Sequence, residues 1–220
     1  MSNRQAENNR VCIKGEIVLG FSYSHEVHGE RFYMADIRTC RNSGYVDVIP
    51  LMVSERLVES AHDYSGQMVS VNGQFRSHNP RKGGWRRLDL FVFVYEIEVL
   101  NNHGNDNEVM LEGVLCKKPV YRKTPLGREI AEVLLAVNRL YGKADYIPCI
   151  VWGWNAKVAA QLKAGTAVNI QGRIQSREYV KWLSGEEPET RVAYEVSAGT
   201  LKVRSGVEEM PVEIMSFMEA

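Results

Sequence analysis

The stretch Ile170–Trp182, with the sequence IQGRIQSREYVKW, alternates between two kinds of side chain. One row is apolar or small and consists of Val168, Ile170, Gly172 and Ile174; the other consists of Arg173, Gln175, Arg177, Tyr179 and Lys181. A period of two predicts a β-strand with one row on a core and the other on an open face. An aromatic among cations on an open face is typical of surfaces that bind phosphates and unstacked bases.

The same pattern occurs earlier in the chain, because Val71–Ser77 matches Ile170–Ser176 at an offset of 99 residues. Five further anchors keep nearly the same register: Ile13–Gly15 with Leu111–Gly113, Gly29 with Gly127 and Ile49–Pro50 with Ile147–Pro148 at an offset of 98, then Gly66 with Gly165 and Tyr95–Ile97 with Tyr194–Val196 at 99. Anchors in register over most of each copy indicate a duplicated domain.

The duplication divides the chain into an N-terminal arm (1–10), a first half (11–100), a linker (101–107), a second half (108–204) and a short acidic tail (205–220). The linker is polar and contains a glycine, as connections between domains often do. Each half reads as three strands, one short helix and two more strands. This order predicts an all-β chain of two tandem five-stranded OB-fold barrels, each with a helix between strands three and four. The alternative is another small β-barrel or sandwich.

The two predicted helices rest on capping residues and apolar spacing. In the first half the helix is capped by Ser54 and carries Leu57, Val58 and Ala61. In the second half it is capped by Asn155, carries Val158, Ala159 and Leu162, and is followed by Gly165.

Charge is distributed unevenly although the chain is neutral overall. The second half contains 15 Lys+Arg and 10 Asp+Glu, whereas residues 10–100 contain 11 of each. Residues after Arg204 include four glutamates and no base. The basic segment is therefore the second half, and such asymmetry says more about partners than the total charge does.

Several classes of function lack their sequence signals. No apolar run is long enough to span a membrane, and the polar N-terminus is not a signal peptide. The four cysteines are widely spaced, which predicts reduced thiols in a cytoplasmic chain without a metal site. We find no phosphate-binding glycine loop, nucleophile elbow or zinc-protease motif. The sequence therefore predicts a protein that is not an enzyme and needs no cofactor.

The candidate binding residues of the second half are aromatic or basic. Aromatic rings stack bases, and Arg and Lys side chains contact phosphates. The residues are Arg122, Arg139, Tyr141, Tyr146, Trp152, Arg173, Arg177, Tyr179, Lys181 and Trp182. Tyr146 and Trp152 share one side of strand three, and the alternative is that both simply fill the barrel.

The second half resembles bacterial single-stranded DNA-binding proteins of the OB-fold type. The resemblance rests on Leu111-x-Gly113, Pro119, Arg122-x-Thr124-x-x-Gly127, Leu135–Arg139, Tyr146–Gly153 and Gly172–Tyr179. In that family four aromatic positions stack the strand, and the matching residues here are Tyr141, Tyr146, Trp152 and Tyr179. The resemblance implies a nucleoid-associated protein of replication, recombination or repair, and a homodimer that supplies four OB-folds. It also implies recruitment of replication or repair proteins through the tail, although this tail is short.

The first half departs from the family pattern, because the repeat places Ser43, Val48, Ser54 and Pro80 at the four aromatic positions. It is therefore predicted to be a scaffold, or to bind by another route. The loop between its strands four and five offers a second candidate set, namely Arg76, Arg81, Lys82, Trp85, Arg86 and Arg87. The neutral total charge and this divergent half support an alternative function, a protein-interaction module of replication or replication restart with weak nucleic-acid affinity.

Overall fold

The computed structural model describes residues 8–59, 62–78, 89–181 and 188–204, without the Tyr141 side chain. The chain is mostly β-sheet. The first half contains β1 (Asn9–Ile17), β2 (Ser22–Val27), β3 (Glu30–Cys40), β4 (Val46–Ser54), β5 (Met68–His78) and β6 (Asp89–Val99). The second half contains β7 (Asp106–Leu115), β8 (Val120–Lys123), β9 (Glu129–Asn138), β10 (Ala144–Trp152), α1 (Gly153–Ala160), β11 (Ala167–Lys181) and β12 (Glu189–Val203). β7 thus begins inside the predicted linker.

In each half five strands pair into a closed ring. In the first half β1 pairs with β3, β3 with β4, β4 in parallel with β6, β6 with β5, and β5 with β1. In the second half β7, β9, β10, β12 and β11 repeat these pairings in the same order. Alternate side chains point into each ring, so Ile49, Leu51 and Val53 are fully buried. The predicted order of strands one to five is confirmed by these pairings.

The structure contains two strands that the sequence did not predict. The segment between the first and second predicted strands contains an additional strand in each half, β2 and β8, which forms a hairpin with the following strand. The hairpin turns at Gly29 and Gly127, whose φ angles of 79° and 76° favour glycine.

The predicted helix of the first half is wrong, because residues 55–57 form a turn and residue 58 a bend, whereas Ala61 lies outside the described residues. Ser54 does accept a hydrogen bond from the Arg56 N–H, but its hydroxyl donates to Glu30 at 2.5 Å. The second half has the alanine-rich helix α1, since alanine is the best helix former. This helix begins at Gly153 rather than after a cap at Asn155, and the Asn155 side chain instead donates to the Gly199 carbonyl.

The repeat register predicted for strand five is also wrong. Val92 of β6 pairs with Leu51, and Val196 of β12 pairs with Cys149, the repeat counterpart of Leu51. The true offset in this strand is therefore 104 rather than 99. The β11–β12 hairpin is five residues longer than its first-half counterpart, because Arg177 and Ala193 face each other where His78 and Asp89 do. The match of Tyr95–Ile97 with Tyr194–Val196 is a coincidence of sequence.

The halves join through β1 and β7, which pair antiparallel and unite all strands into one twelve-stranded sheet. Val11 pairs with Val109, its own repeat counterpart, so the halves are related by an approximate two-fold axis at this pair. Two reciprocal ion pairs flank the junction. Buried Asp47 accepts from Arg41 (2.6 and 2.7 Å) and from the Ser176 N–H of the other half (2.7 Å).

The counterpart ion pair lies across the two-fold axis. Asp145, also buried, accepts from Arg139 and from the Ser77 N–H of the first half at 2.5 Å. We call these two sets the Asp47 latch and the Asp145 latch. They fix the halves relative to each other. Within the described ranges, no helix has the length and apolar character needed to cross a membrane.

Candidate functional site

The outward side of β10 carries the aromatic residues of the second half. Asp145, Ile147, Cys149 and Val151 face inward and are buried, which turns Tyr146 and Trp152 outward, where both are half-buried. The Trp152 Nε1–H donates to Ser197 Oγ on β12 at 3.0 Å. This hydrogen bond fixes the indole against the sheet. Trp152 therefore lies on the surface of the ring and does not fill its interior.

Arg173 of β11 lies next to this indole, because it pairs with Ser197 across the sheet. Burial and the nearby Arg41 lower the pKa of Arg173. Its Nε is buried and has no hydrogen-bond partner among the described residues. Arg173, Trp152, Arg128 and the first-half segment 40–43 line a cleft of about 660 Å³, which we call the Trp152 cleft. The cleft thus combines an aromatic ring with a cation that has hydrogen-bonding capacity to spare.

The β11–β12 hairpin continues past the ring and carries three further candidates, Arg177, Tyr179 and Lys181. The Arg177 guanidinium lies 6.0 Å from the centre of the Tyr179 ring and 4.0 Å from Glu195. Tyr179 and Lys181 do not line the Trp152 cleft. They border a second and larger opening on the first half, so the structure divides the predicted site between two surfaces.

Three other predicted residues occupy different surroundings. Arg139 belongs to the Asp145 latch and also donates to the Ser77 carbonyl at 2.8 Å. Tyr146 lies beside this latch, where its N–H donates to Ser77 Oγ. Arg122 of β8 forms an exposed ion pair with Glu132 at 2.6 Å. Of the three, only Arg139 contacts one of the two openings.

The second opening, of about 1120 Å³, covers the outward face of the first half, and we call it the Phe93 groove. Arg76, the one described residue of the first-half candidate set, lies over the Phe93 ring with Cζ 3.8 Å from its centre. Burial and the nearby Arg139 lower the pKa of Arg76 to about 10, so the guanidinium remains charged at neutral pH. Phe32 follows, with its ring centre 5.9 Å from that of Phe93, and His25 stacks on Phe32 at 5.3 Å.

Sequence reasoning missed Phe32, Phe93 and His25 because it considered, in the first half, only the four family positions and the loop between strands four and five. The alternation Leu90-Phe91-Val92-Phe93 could have revealed an aromatic outward row on strand five. The wrong register for that strand concealed it. Trp182, the cations Arg81, Lys82, Arg86 and Arg87, Trp85 and the tail 205–220 lie outside the described residues.

The described part of the chain contains no cluster of three or more His, Cys, Asp or Glu side chains suited to a metal ion. All four cysteines are free thiols. Burial raises the pKa of Cys116 to about 12 and also raises that of Cys149. These two thiols are structural parts of the second ring.

Comparisons with known proteins agree with this architecture. The model of the "Single-strand binding protein family" matches residues 106–203. "Single-stranded DNA-binding protein B" of Bacillus subtilis is 38% identical over 103 residues, which cover 44% of this chain and 88% of that protein. "Single-stranded DNA-binding protein 2" of Listeria innocua is 44% identical over 80 residues, which cover 33% of this chain and only 50% of that protein.

A solved structure extends the likeness to both halves. The wild-type single-stranded DNA binding protein from Thermus aquaticus superposes with a TM-score of 0.74, covering 92% of this chain and 95% of that one. Its sequence identity is 20%, so this match concerns the fold alone. The arrangement of the present chain is thus a tandem OB-fold arrangement like that of the Thermus protein.

Proposed function

The chain belongs to the single-strand binding protein family, and from this premise we propose that it binds single-stranded DNA without marked sequence preference. The observation that carries the proposal is the pairing of Trp152 with Arg173 in the Trp152 cleft. An indole fixed by a hydrogen bond on the outward side of a sheet can stack on any base, and a base–aromatic stack contributes about 1–3 kcal/mol. The Arg173 Nε, which has no hydrogen-bond partner among the described residues, supports an interaction of this guanidinium with the phosphate backbone.

The proposed activity is binding and not catalysis, and the residues divide by role. Trp152, Tyr146 and Tyr179 stack bases, and we include Tyr141 and Trp182 by sequence alone. Arg173, Arg177 and Lys181 supply the phosphate contacts, which make affinity depend on salt. Arg122 and Arg139 already contact carboxylates, so we assign them mainly to holding the fold.

We propose further that each ring is an OB-fold barrel and that two chains form a homodimer with four such barrels. Protection of single strands in replication, recombination or repair, and recruitment of partners through the tail, are part of the same proposal. The neutral total charge favours one other candidate, a protein-interaction module with weak affinity for nucleic acid.

A titration of intrinsic fluorescence with oligothymidine, at low and raised salt, separates the two candidates. We expect strong quenching that weakens as salt increases. Trp152→Ala combined with Tyr179→Ala should weaken binding about thirtyfold or more, since two stacking residues are lost. Trp154→Ala is the matched control, because Trp154 is 76% exposed and does not line either opening. Absence of quenching at low salt would exclude the DNA-binding proposal and favour the interaction module. Competition with matched RNA and duplex DNA defines the preferred nucleic acid.

A further inference from the structure

Strand β11, which carries the cationic candidates of the second half, loses one of its two neighbours at the point where these candidates begin. Up to Gly172 it lies between β12 and β7, with Gly172 opposite Val109 of β7. From Arg173 to Lys181 it pairs, among the described residues, with β12 alone. The part of β11 that faces the Trp152 cleft therefore has one edge without a strand beside it in the described structure.

The Asn107 side chain takes the place of the missing strand at Ile174. The register of β7 with β11 would put these two residues opposite each other, but their backbones do not pair there. Instead Asn107 Nδ2 donates to the Ile174 carbonyl at 2.8 Å, and Asn107 Oδ1 accepts from the Ile174 N–H at 2.9 Å. A carboxamide offers a donor and an acceptor, as a peptide unit does. Asn107 thus substitutes for one residue of a paired strand.

Two residues further along β11, the first half supplies the contacts of the same edge. Asp47 Oδ1 accepts from the Ser176 N–H at 2.7 Å and from the Ser176 hydroxyl at 3.1 Å. Arg41 Nη2 donates to the Ser176 carbonyl at 3.3 Å. Alternate residues of an antiparallel strand turn their N–H and C=O groups to the same edge. Asn107 and the Asp47 latch therefore bond the two successive residues of β11 that face away from β12.

These bonded positions enclose the part of β11 that contributes to the Trp152 cleft. Arg173 and Gln175 line this cleft, and each is next in sequence to a bonded residue. Across the sheet Arg173 lies opposite Ser197, which accepts a hydrogen bond from the Trp152 indole. A shift of β11 at this edge therefore moves the guanidinium relative to the indole.

We propose that Asn107 is a positioning residue for single-strand binding, because its two hydrogen bonds to Ile174 hold Arg173 beside Trp152. This inference rests on the proposed function and gives the predicted linker a part in binding. Asn107 acts through the backbone of β11, since its amide groups bond to Ile174. Contact residues that are held in place by such supporting bonds bind more tightly, because fewer conformations are lost when the ligand binds.

The first half contains a matched control for Asn107. Asn9 is its repeat counterpart at the offset of 98. Asn9 Nδ2 donates to the Phe75 carbonyl of β5 at 2.8 Å, and Asn9 Oδ1 accepts from the Phe75 N–H at 2.9 Å. Replacing either asparagine by alanine removes the same two hydrogen bonds from a strand edge. Only Asn107 is bonded to the strand that carries Arg173, so only its loss should affect the Trp152 cleft.

The test uses a full-length parent chain whose only tryptophan is Trp152, so that fluorescence quenching by oligothymidine reports on this cleft. The parent chain carries three substitutions, Trp85→Phe, Trp154→Phe and Trp182→Phe. Into it we introduce Asn107→Ala or Asn9→Ala, each with and without Arg173→Gln, and measure affinity at several salt concentrations. Circular dichroism melting measures the stability of each variant.

We expect Asn107→Ala to weaken oligothymidine binding about fivefold. The slope of log affinity against log salt should become shallower by about 0.7, the value for one phosphate contact with a single strand. In the Arg173→Gln chain the same substitution should change affinity less than about twofold, because the residue through which Asn107 acts is gone. Asn9→Ala should change affinity less than about twofold in either chain.

Asn107→Gln keeps the amide on a longer side chain and should give a smaller loss of the same kind, which covers the case in which Asn107→Ala does not fold. Equal effects of Asn107→Ala and Asn9→Ala on affinity would overturn the positioning role. A loss of affinity that persists undiminished in the Arg173→Gln chain would overturn it as well. Both outcomes leave the proposed function intact, because the parent chain still binds. A parent chain that oligothymidine does not quench at low salt would instead overturn the proposed function.

Discussion

The two halves of this chain share one strand order but carry their outward aromatic residues on different strands. In the second half the aromatic side chain is Trp152, at the end of the third strand of the closed ring of strands. In the first half it is Phe93, on the fifth strand. The residues that link the halves are kept, because Arg41, Asp47 and Ser77 correspond to Arg139, Asp145 and Ser176. Duplication thus left the framework constant and allowed the outward face to be rebuilt from neighbouring positions.

Gly73 and Gly172 lie at corresponding corners of the two rings of strands, and both halves keep glycine there. Substituting either glycine should have the largest effect on the free energy of unfolding. A Cβ on Gly172 would lie 2.1 Å from the Ser197 carbonyl oxygen, and one on Gly73 would lie 2.5 Å from the Phe93 oxygen. We expect Gly172→Ala to lower the free energy of unfolding by about 3 kcal/mol or more, measured by urea denaturation, because main chain must move. Gly73→Ala should be nearly as harmful.

Gly199 is the matched control, because it lies at the bulge in the same strand pair. A Cβ there meets nothing nearer than 3.9 Å, and Tyr95 occupies the equivalent place in the first half. Gly199→Ala should therefore be neutral or slightly stabilising. A Gly172→Ala chain as stable as Gly199→Ala would show that the halves do not need this close approach.

The two latches test whether the halves depend equally on their junction. Asp47 and Asp145 are both buried, and each accepts from an arginine of its own half and from a serine N–H of the other. Asp47→Ala or Asp145→Ala should each lower the free energy of unfolding by about 3 kcal/mol, since a partly buried arginine loses its counter-charge. Equal losses would confirm the two-fold symmetry in energetic terms.

The control for the latches is Asp106→Ala, which breaks an exposed ion pair between Asp106 and Lys14, also across the junction. A surface pair contributes about 0–1 kcal/mol, so this change should be small. Latch variants that lose no more than Asp106→Ala would mean that β1–β7 pairing alone holds the halves together.

The sequence predicted the strands and their corner glycines better than it predicted which residues lie together on the outward face. Glycine at a crowded corner and alternating apolar residues are local requirements, so they repeat at nearly constant offsets in Gly15 and Gly113 or Val71 and Ile170. The surface depends on cross-strand neighbours. Once the β11–β12 hairpin is five residues longer, a linear offset no longer identifies which residue of strand five faces which residue of strand three.

The latches were hidden for a similar reason. Arg41 and Asp47, or Arg139 and Asp145, look like ordinary solvated charges of a loop and a strand end in the sequence. Only the antiparallel pairing of β1 with β7 brings them against the serines of the other half. Arg139 was therefore predicted to bind DNA, whereas its guanidinium donates to the Asp145 carboxylate and to the Ser77 carbonyl.

The smallest expected effect is that of Ser197→Ala, which tests how the aromatic side chains Trp152 and Phe93 are held in place. Trp152 has an N–H that donates to Ser197 Oγ at 3.0 Å, whereas Phe93 has no donor and depends on Phe32 and Arg76. Ser197→Ala should therefore lower the free energy of unfolding by about 1 kcal/mol, as loss of one hydrogen bond does. Ser22→Ala, which removes an exposed hydroxyl bonded to the Met34 carbonyl, should cost less.

Oligothymidine affinity of the Ser197→Ala chain should fall about twofold to fivefold, because the indole is then oriented by packing alone, as Phe93 is. If the affinity for oligothymidine is unchanged, the Trp152–Ser197 hydrogen bond contributes to the fold and not to the stacking surface. Trp152 would then be oriented by packing in the same way as Phe93, despite its N–H donor.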